Sequence, residues 1–565
     1  MRQWWIAAGV VIVVAIAYVA GSRLHERADA SFGATHGIPA LPQIQGASQA
    51  APVAAGSPSA SSPGTATAVV APVSVPADAG FGFEEVQRLA QQRATQPYQN
   101  LSPRLPAVIA KLSYDQYQSI RFKRNDALWR NQSLFEVQFF HRGFNFDRRV
   151  NLAEVVDGAA RPINYNSSWF DFGKVVRQPG KLPRDLGFAG FRVHYPLQTP
   201  NYKDELIVFL GASFFRVLGR NQDYGMTARA LTVNTGSKNG EEFPWFTDFW
   251  LVRPTDPEQC VLTLYALLDS DSVAGAYRFD VRPGRITQVE VHSVLFPRKG
   301  IQKLGIAPMT SMFLYGEDPV GHRFNDYRPE VHDSDGLMMQ TGIGEWLWRP
   351  LTNPHDLRIN RFIDAHPHGF GLVQRDRDFA HYQDEDARFQ RRPGYWVQPL
   401  GDWGRGGVEL VEIPTDEDIH DNIAAYWVPE QPVEAGKPLH YDWLMFAHGD
   451  SPQWPPGGKA IATRSLPVTA AEAQSLDHSD ARRVMIDFAG GDLDGLDGSQ
   501  PLKALLTANG GQVQDVKVQK LTETGAWRVS FLVFPMHQHD TVDLHCYLQL
   551  YGESITETWT NQLQL

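Results

Sequence analysis

The chain has 565 residues, which at roughly 100–200 residues per domain is room for two or three domains. Hydrophobic residues make up 43% and charged residues 20%, close to ordinary globular usage of about 45–50% and 25%, so global disorder is excluded. Lys+Arg 52 against Asp+Glu 63 leaves −11 at pH 7, the wrong sign for a nucleic-acid binder, and two cysteines, Cys260 and Cys546, exclude a disulfide framework and a multi-cysteine zinc site.

Trp4 to Ala20 is an uninterrupted apolar run with Arg2 on one side and Arg23 and Arg27 on the other. That pattern is an export signal or a membrane anchor. Tyr18 stands where a cleavage site wants a small side chain, and the run is short for a helix that must cross about 30 Å of hydrocarbon, so both readings of residues 1–29 stay open. Either places the rest of the chain outside the cytoplasm, with N-terminal membrane association as one outcome. Residues 30–79 follow as an Ala/Pro/Ser-rich tether; from Ala30 to Ala77 there is no Lys, Arg, Asp or Glu, and too little bulky apolar surface to offset ordering entropy.

The folded part is expected to begin near Phe81, where Phe83, Val86, Leu89 and Ala90 recur at helical spacing. Strands dominate after it. Phe135, Val137 and Phe139 alternate with Glu136 and Gln138, the pattern of a half-buried strand; Leu262 to Leu268, a turn at Asp269–Ser272 and Ala276 to Val281 read as a hairpin; Thr287 to Leu295 is a further strand. An all-β fold, with a large antiparallel sandwich over residues 80–449, closes this many strands most simply. A Pro/Gly-rich linker at 450–461 precedes about 100 residues with strands at Val484–Phe488, Val513–Leu521, Trp527–Val533, Val542–Leu548 and Ile555–Trp559, which fit a small immunoglobulin-like sandwich over 462–565. Cys260 and Cys546 then fall in different domains, and no disulfide is expected.

No Gly-x-Ser-x-Gly elbow, P-loop, Gly-x-Gly-x-x-Gly turn or His-Glu-x-x-His pair occurs, so serine hydrolysis, nucleotide binding and zincin chemistry lack support. His537-Gln538-His539-Asp540 has no third metal ligand in reach, and Asp492 to Gly498 lacks the third oxygen and the bidentate Glu of a calcium loop; no metal and no cofactor is expected. The informative region is Tyr327 to Trp427. Trp346, Trp348, Trp396, Trp403 and Trp427 are interleaved there with carboxylates and with Arg349, Arg375, Arg377 and Arg405. Sugars present apolar C–H faces rimmed by hydroxyls, so flat rings beside carboxylate and guanidinium groups suit an oligosaccharide cleft. Composition alone equally allows any one of these tryptophans to be core.

Six motifs in order are recognisable: Asp185–Phe191, Gly211–Val217, Tyr327–Gly336, Gly344–Leu351, Gly369–Phe379 and Val408–Thr415. Together they resemble the periplasmic glucan biosynthesis protein G/D family, nearer the D type, from about Phe81 to Leu565. The resemblance implies a galactose-mutarotase-like β-sandwich joined to an immunoglobulin-like domain, and a part in making osmoregulated periplasmic glucans beside an inner-membrane glucan synthase. It further implies anomer-inverting glycoside-hydrolase chemistry on a linear β-1,2-glucan, with Asp421 as general acid and Asp333 as the carboxylate that ends with the proton of the attacking hydroxyl, directly or through a substrate hydroxyl. Asp384, Glu345, Trp346, Trp348, Arg377, Trp403, Tyr426 and Trp427 are the expected glucan-binding residues. Tyr426 and Trp427 would wall in Asp421, while Asp416, Glu417 and Asp418 would add the field that keeps it protonated, and His332 or an Arg would hold Asp333 ionised. Hydrolysis, transfer to another sugar with elongation or cyclisation, and a non-catalytic glucan-binding scaffold all remain open.

Overall fold

The computed structural model describes residues 80–100, 102–237, 240–318, 324–449, 454–476, 480–537 and 541–565. The apolar leader, the tether, most of the His537–Asp540 fragment and the first part of the expected linker lie outside the described residues. Among the described residues no helix is long and apolar enough to cross a membrane.

The helix Phe83–Ala94 forms where its spacing predicts one and buries Val86 and Ala90 against Leu267 and Ala276. The remainder is β. Ten strands make one antiparallel sheet, in which Leu304–Ser311 lies between Thr227–Arg229 and Ile423–Pro429, and Arg405–Glu412 and Arg358–Ala365 continue to the edge. The hairpin Leu262–Asp269 and Val273–Arg282 pairs Leu268 with Gly275, as the turn at Asp269–Ser272 predicts, and Thr287–Pro297 adds the next strand. These belong to a second, larger sheet, and the two sheets enclose one continuous apolar core that runs from Ile109 to Ala447.

One expectation changes in detail. Glu136–His141 is not half-buried: Glu136 is 4% exposed and Gln138 5%, because Arg130 (3.3 Å) and Lys203 (3.0 Å) reach Glu136 and Arg192 donates to Gln138 (2.8 Å). The alternation is real in the sequence, but ion pairs let both faces close.

The C-terminal part is a smaller pair of sheets. Lys459–Pro467, Arg482–Ala489, Trp527–Pro535 and Gly511–Lys520 form one; Lys503–Asn509, Thr541–Leu550 and Thr558–Gln564 form the other, with Phe488, Trp527, Phe531, Leu544 and Trp559 buried in a common cluster. Lys459–Pro467 begins inside the segment expected as linker. The larger sheet does not stop at the boundary: Thr558–Gln564 pairs in parallel with Trp346–Pro350, Leu347 opposite Thr558 and Trp348 opposite Trp559. Arg375 seals the junction with two bonds to Glu557 (2.6 and 2.8 Å) while lying 3.4 Å over the Trp348 ring. Cys260 is exposed and Cys546 buried, and both are free. Asp492 and Asp494 sit in a short 3-10 turn, Gly491–Gly495, whose Leu493 is core.

Candidate functional site

Asp421 stands just ahead of the strand Ile423–Pro429, whose first residue pairs with Ser311. Its neighbour Asn422 fixes this corner: the side-chain amide donates to the Phe313 and Ile413 carbonyls (3.0 Å each) and accepts from Phe313 N–H (2.8 Å). A buried Asn satisfied three times over leaves the backbone little freedom, so Asp421 is held with only part of its surface open to solvent. Thr310 Oγ1 donates to its carboxylate at 3.3 Å. Burial is the main influence on Asp421 and pushes it up; Arg216 opposes, the Asp333 charge adds, and Thr310 and Arg392 oppose, for a net value of about 6.

Asp333 follows the two-residue strand Val331–His332 and is 3% exposed, its N–H donating to the Met312 carbonyl at 2.8 Å. Arg392 Nη1 donates to Asp333 Oδ1, and this guanidinium, itself 6% exposed, supplies the counter-charge. The expectation that His332 or an Arg would face Asp333 resolves to Arg392. His332 turns the other way, one ring nitrogen 2.9 Å from Glu330 and the other 2.9 Å from Gln374. Neither Arg392 nor Arg216 stands out in the sequence, although Arg216 lies inside one of the recognised motifs.

The acidic segment before Asp421 does not act as expected. Arg328 Nη1 bridges Asp418 (2.9 Å) and Asp384 (3.1 Å), and its other nitrogens hold Asp326. Asp418 is thus ion-paired to Arg328, and the carboxylate that raises Asp421 is Asp333. Asp384 accepts from the N–H groups of Asp386 (3.0 Å) and Ala387 (2.8 Å) as well, so its visible work is to fix the loop that carries Arg392. Arg377 also serves that loop, donating to the carbonyls of Gln390 (3.2 Å) and Arg392.

The other residues expected at the cleft are dispersed. Trp427 and Tyr426, both 0% exposed, alternate along their strand into apolar clusters, and Trp403, 5% exposed, donates its indole N–H to the Asp442 carbonyl (3.1 Å) inside the main core. A buried ring has no free face for a sugar, so these three are interior packing. Trp348 and Glu345 belong to the junction with the C-terminal sandwich, Glu345 accepting from Thr558 Oγ1 at 2.7 Å. Trp346 lines a separate cavity away from Asp421.

A second polar group lies behind the pair. Glu330 accepts from His332 and from His381 (2.8 Å), and Asp376 stands 3.6 Å from His381. Glu330, Asp376 and His381 are the one grouping of metal-ligand type among the described residues, with donor atoms within 4.8 Å of one another; no sequence spacing reveals it. Both imidazoles already bond to Glu330, which satisfies that carboxylate within the protein.

A large all-β sandwich, with a protonatable aspartate and an ion-paired aspartate at the mouth of one sheet, is the class of molecule that fold and site define. The model of one family, "Periplasmic glucan biosynthesis protein, MdoG", matches residues 81–563, and the chain belongs to that family. It is 43% identical over 498 residues to the glucans biosynthesis protein G of Ralstonia nicotianae, covering 88% of this chain and 98% of that one. The glucans biosynthesis protein G of Rhodopseudomonas palustris strain BisA53 is 44% identical (85% and 93% covered), and the probable glucans biosynthesis protein D of Shewanella oneidensis is 41% identical (86% and 90% covered). Relatives of both the G and the D type thus match at similar identity.

Proposed function

We propose that the protein acts in the periplasm on the linear β-1,2-glucan backbone of osmoregulated glucans, cleaving glycosidic bonds with inversion at the anomeric carbon. Asp421 protonates the departing oxygen. Asp333 receives the proton of the attacking hydroxyl, either directly or through a hydroxyl of the substrate, and the Arg392 guanidinium balances its charge. Inverting pairs are spaced by roughly 6.5–9.5 Å to admit the nucleophile, and a relayed proton allows more. The observation that carries the reading is the contrast within the pair: one partly open carboxyl pushed up to about 6 by burial and by its neighbour, and one enclosed carboxylate held by a guanidinium. An acid that holds its proton beside a carboxylate that is ion-paired is what acid–base cleavage needs near neutral pH. The nucleophile is water or the hydroxyl of another glucose unit; the same acid serves either. The N-terminal apolar run would export the chain or hold it at the inner membrane, beside the glucan synthase.

The test is product analysis on linear β-1,2-glucan. Wild-type protein shortens or rearranges the chains, and Asp421→Asn binds them without converting them. Unchanged turnover in that variant contradicts the assignment, and binding by the wild type with no change in chain length favours the scaffold reading. New reducing ends counted against bonds consumed separate water from a sugar acceptor.

A further inference from the structure

Trp346, which belongs to the Tyr327–Trp427 aromatic region but lies away from Asp421, lines a cavity of about 530 Å³ beside the domain junction. This falls within the range of roughly 300–1,000 Å³ that small-molecule sites occupy. Its floor is aromatic. Trp346 and Trp396 are near-parallel with ring centroids 5.5 Å apart, and Trp396 and Trp454 are near-parallel at 5.8 Å. Trp396 is 2% exposed, whereas both outer rings remain partly open and face the cavity. Gly369 makes the close approach possible: a Cβ there would lie 2.2 Å from Cζ2 of Trp396, so any side chain would push the central ring off the sheet.

The rim is polar and built. Asp402 Oδ1 accepts from Gly404 N–H (2.7 Å) and from His366 Nδ1 (2.6 Å), while His366 adopts a left-handed backbone conformation, φ 57°, that a non-glycine residue rarely holds without a reason. Gln340 and Gln398 project from neighbouring parts of the same sheet, and their side-chain amides make no hydrogen bond to the described residues, so these groups are available to a ligand. Asp402, hydrogen-bonded to His366, is the one carboxylate of the rim, which carries no Lys or Arg.

We propose that this cavity is a second carbohydrate site, a non-catalytic one that holds a short run of pyranose units of the glucan outside the Asp421 site. Flat indole faces take the C–H faces of the sugar, and the amide pair, which both donates and accepts, takes its hydroxyls. A rim with one carboxylate and no Lys or Arg suits a neutral polysaccharide and gives no anchoring cation to phosphate or to an acidic peptide. The identity of the sugar rests on the proposed function above; the presence of a second site does not depend on turnover.

The experiment counts sites on the full chain by calorimetric titration with linear β-1,2-glucan oligosaccharides, in an Asp421→Asn background that leaves the ligand intact. Two sites per chain are expected, falling to one when Trp346→Ala or Gln398→Ala is added, and returning to two with Trp346→Phe, which keeps a flat face. Gln398 is exposed, so its loss leaves packing untouched and separates binding from folding. A single site in the Asp421→Asn protein, or two sites that survive both substitutions while only the melting temperature of Trp346→Ala drops, overturns the proposal. Failure of the catalytic reading looks different: wild-type protein then leaves chain length unchanged, whatever the site count.

Discussion

Two sets of carboxylates lie back to back in this molecule and are treated in opposite ways. Around Asp421 and Asp333 there are two acids, one guanidinium bonded to the enclosed one, and a single long hydrogen bond to the open one. Around Glu330 every oxygen is engaged: His332 and His381 bond to it from either side, and Gln374 braces His332. There the carboxylate is held down to about 2, burial opposing and the two imidazoles prevailing, while His332 rises to about 9 although its own burial opposes this. The comparison teaches that burial alone does not make a catalytic acid. What distinguishes Asp421 is burial without a cation bonded to it, at a position that keeps an open edge.

The sharpest way to break that contrast is to remove the proton. Asp421→Asn should lower turnover of linear glucan by about a hundred- to ten-thousand-fold, the usual worth of a general acid, with binding kept. Next in size is Arg392→Met, which strands the Asp333 charge in an enclosed site; breaking a buried ion pair from one side costs about 3–5 kcal/mol, to be read in urea unfolding. Activity that persists in this variant with stability unchanged would remove Arg392 from the site.

The satisfied set should show itself in the pH dependence of stability. His332 has an ordinary value of 6.5 and about 9 in the fold, so folding takes up a proton in that window, and the stability it brings is present below pH 6.5 and is lost as pH rises through 9. Asp376, pushed up to about 8 first by burial and then by Asp335, Glu330 and Glu317, works in the same direction. The melting temperature should therefore fall between pH 6.5 and 9, and Glu330→Gln should flatten the slope without moving the pH dependence of turnover. The smallest effect is expected from Thr310→Val. Its hydroxyl favours ionised Asp421, so its loss should carry the alkaline limb of the rate profile, set by Asp421 at about 6, to higher pH.

Much of this organisation is legible from sequence. The helix at Phe83, the hairpin across Asp269–Ser272 and most strands of the C-terminal sandwich follow from period and turn residues. Asp333 enters through a motif and Asp421 through the family resemblance, but their setting does not, because Arg392 reaches Asp333 across 59 positions and Thr310 reaches Asp421 across 111. Short-range pattern contains no information on such pairs. Nor does it reveal which sheet a tryptophan faces. Trp346 and Trp427 look alike in a list of aromatics, yet Trp427 is in the sandwich interior and Trp346 on the open flank by the C-terminal domain. The acidic run at Asp416–Asp418 misleads for a related reason: a charge held in an ion pair has a weaker field, and Arg328, some 90 residues away, pairs with Asp418.

The central claim is that Asp421 gives its proton to the leaving oxygen. A leaving group that needs no proton tests it most directly. Asp421→Asn and wild-type protein should be compared on linear β-1,2-glucan and on a β-1,2-gluco-oligosaccharide carrying a nitrophenolate leaving group. The account predicts that the variant loses turnover of the glucan but retains most of its rate on the aryl substrate. Equal loss on both substrates, or retained activity on the glucan, would contradict it.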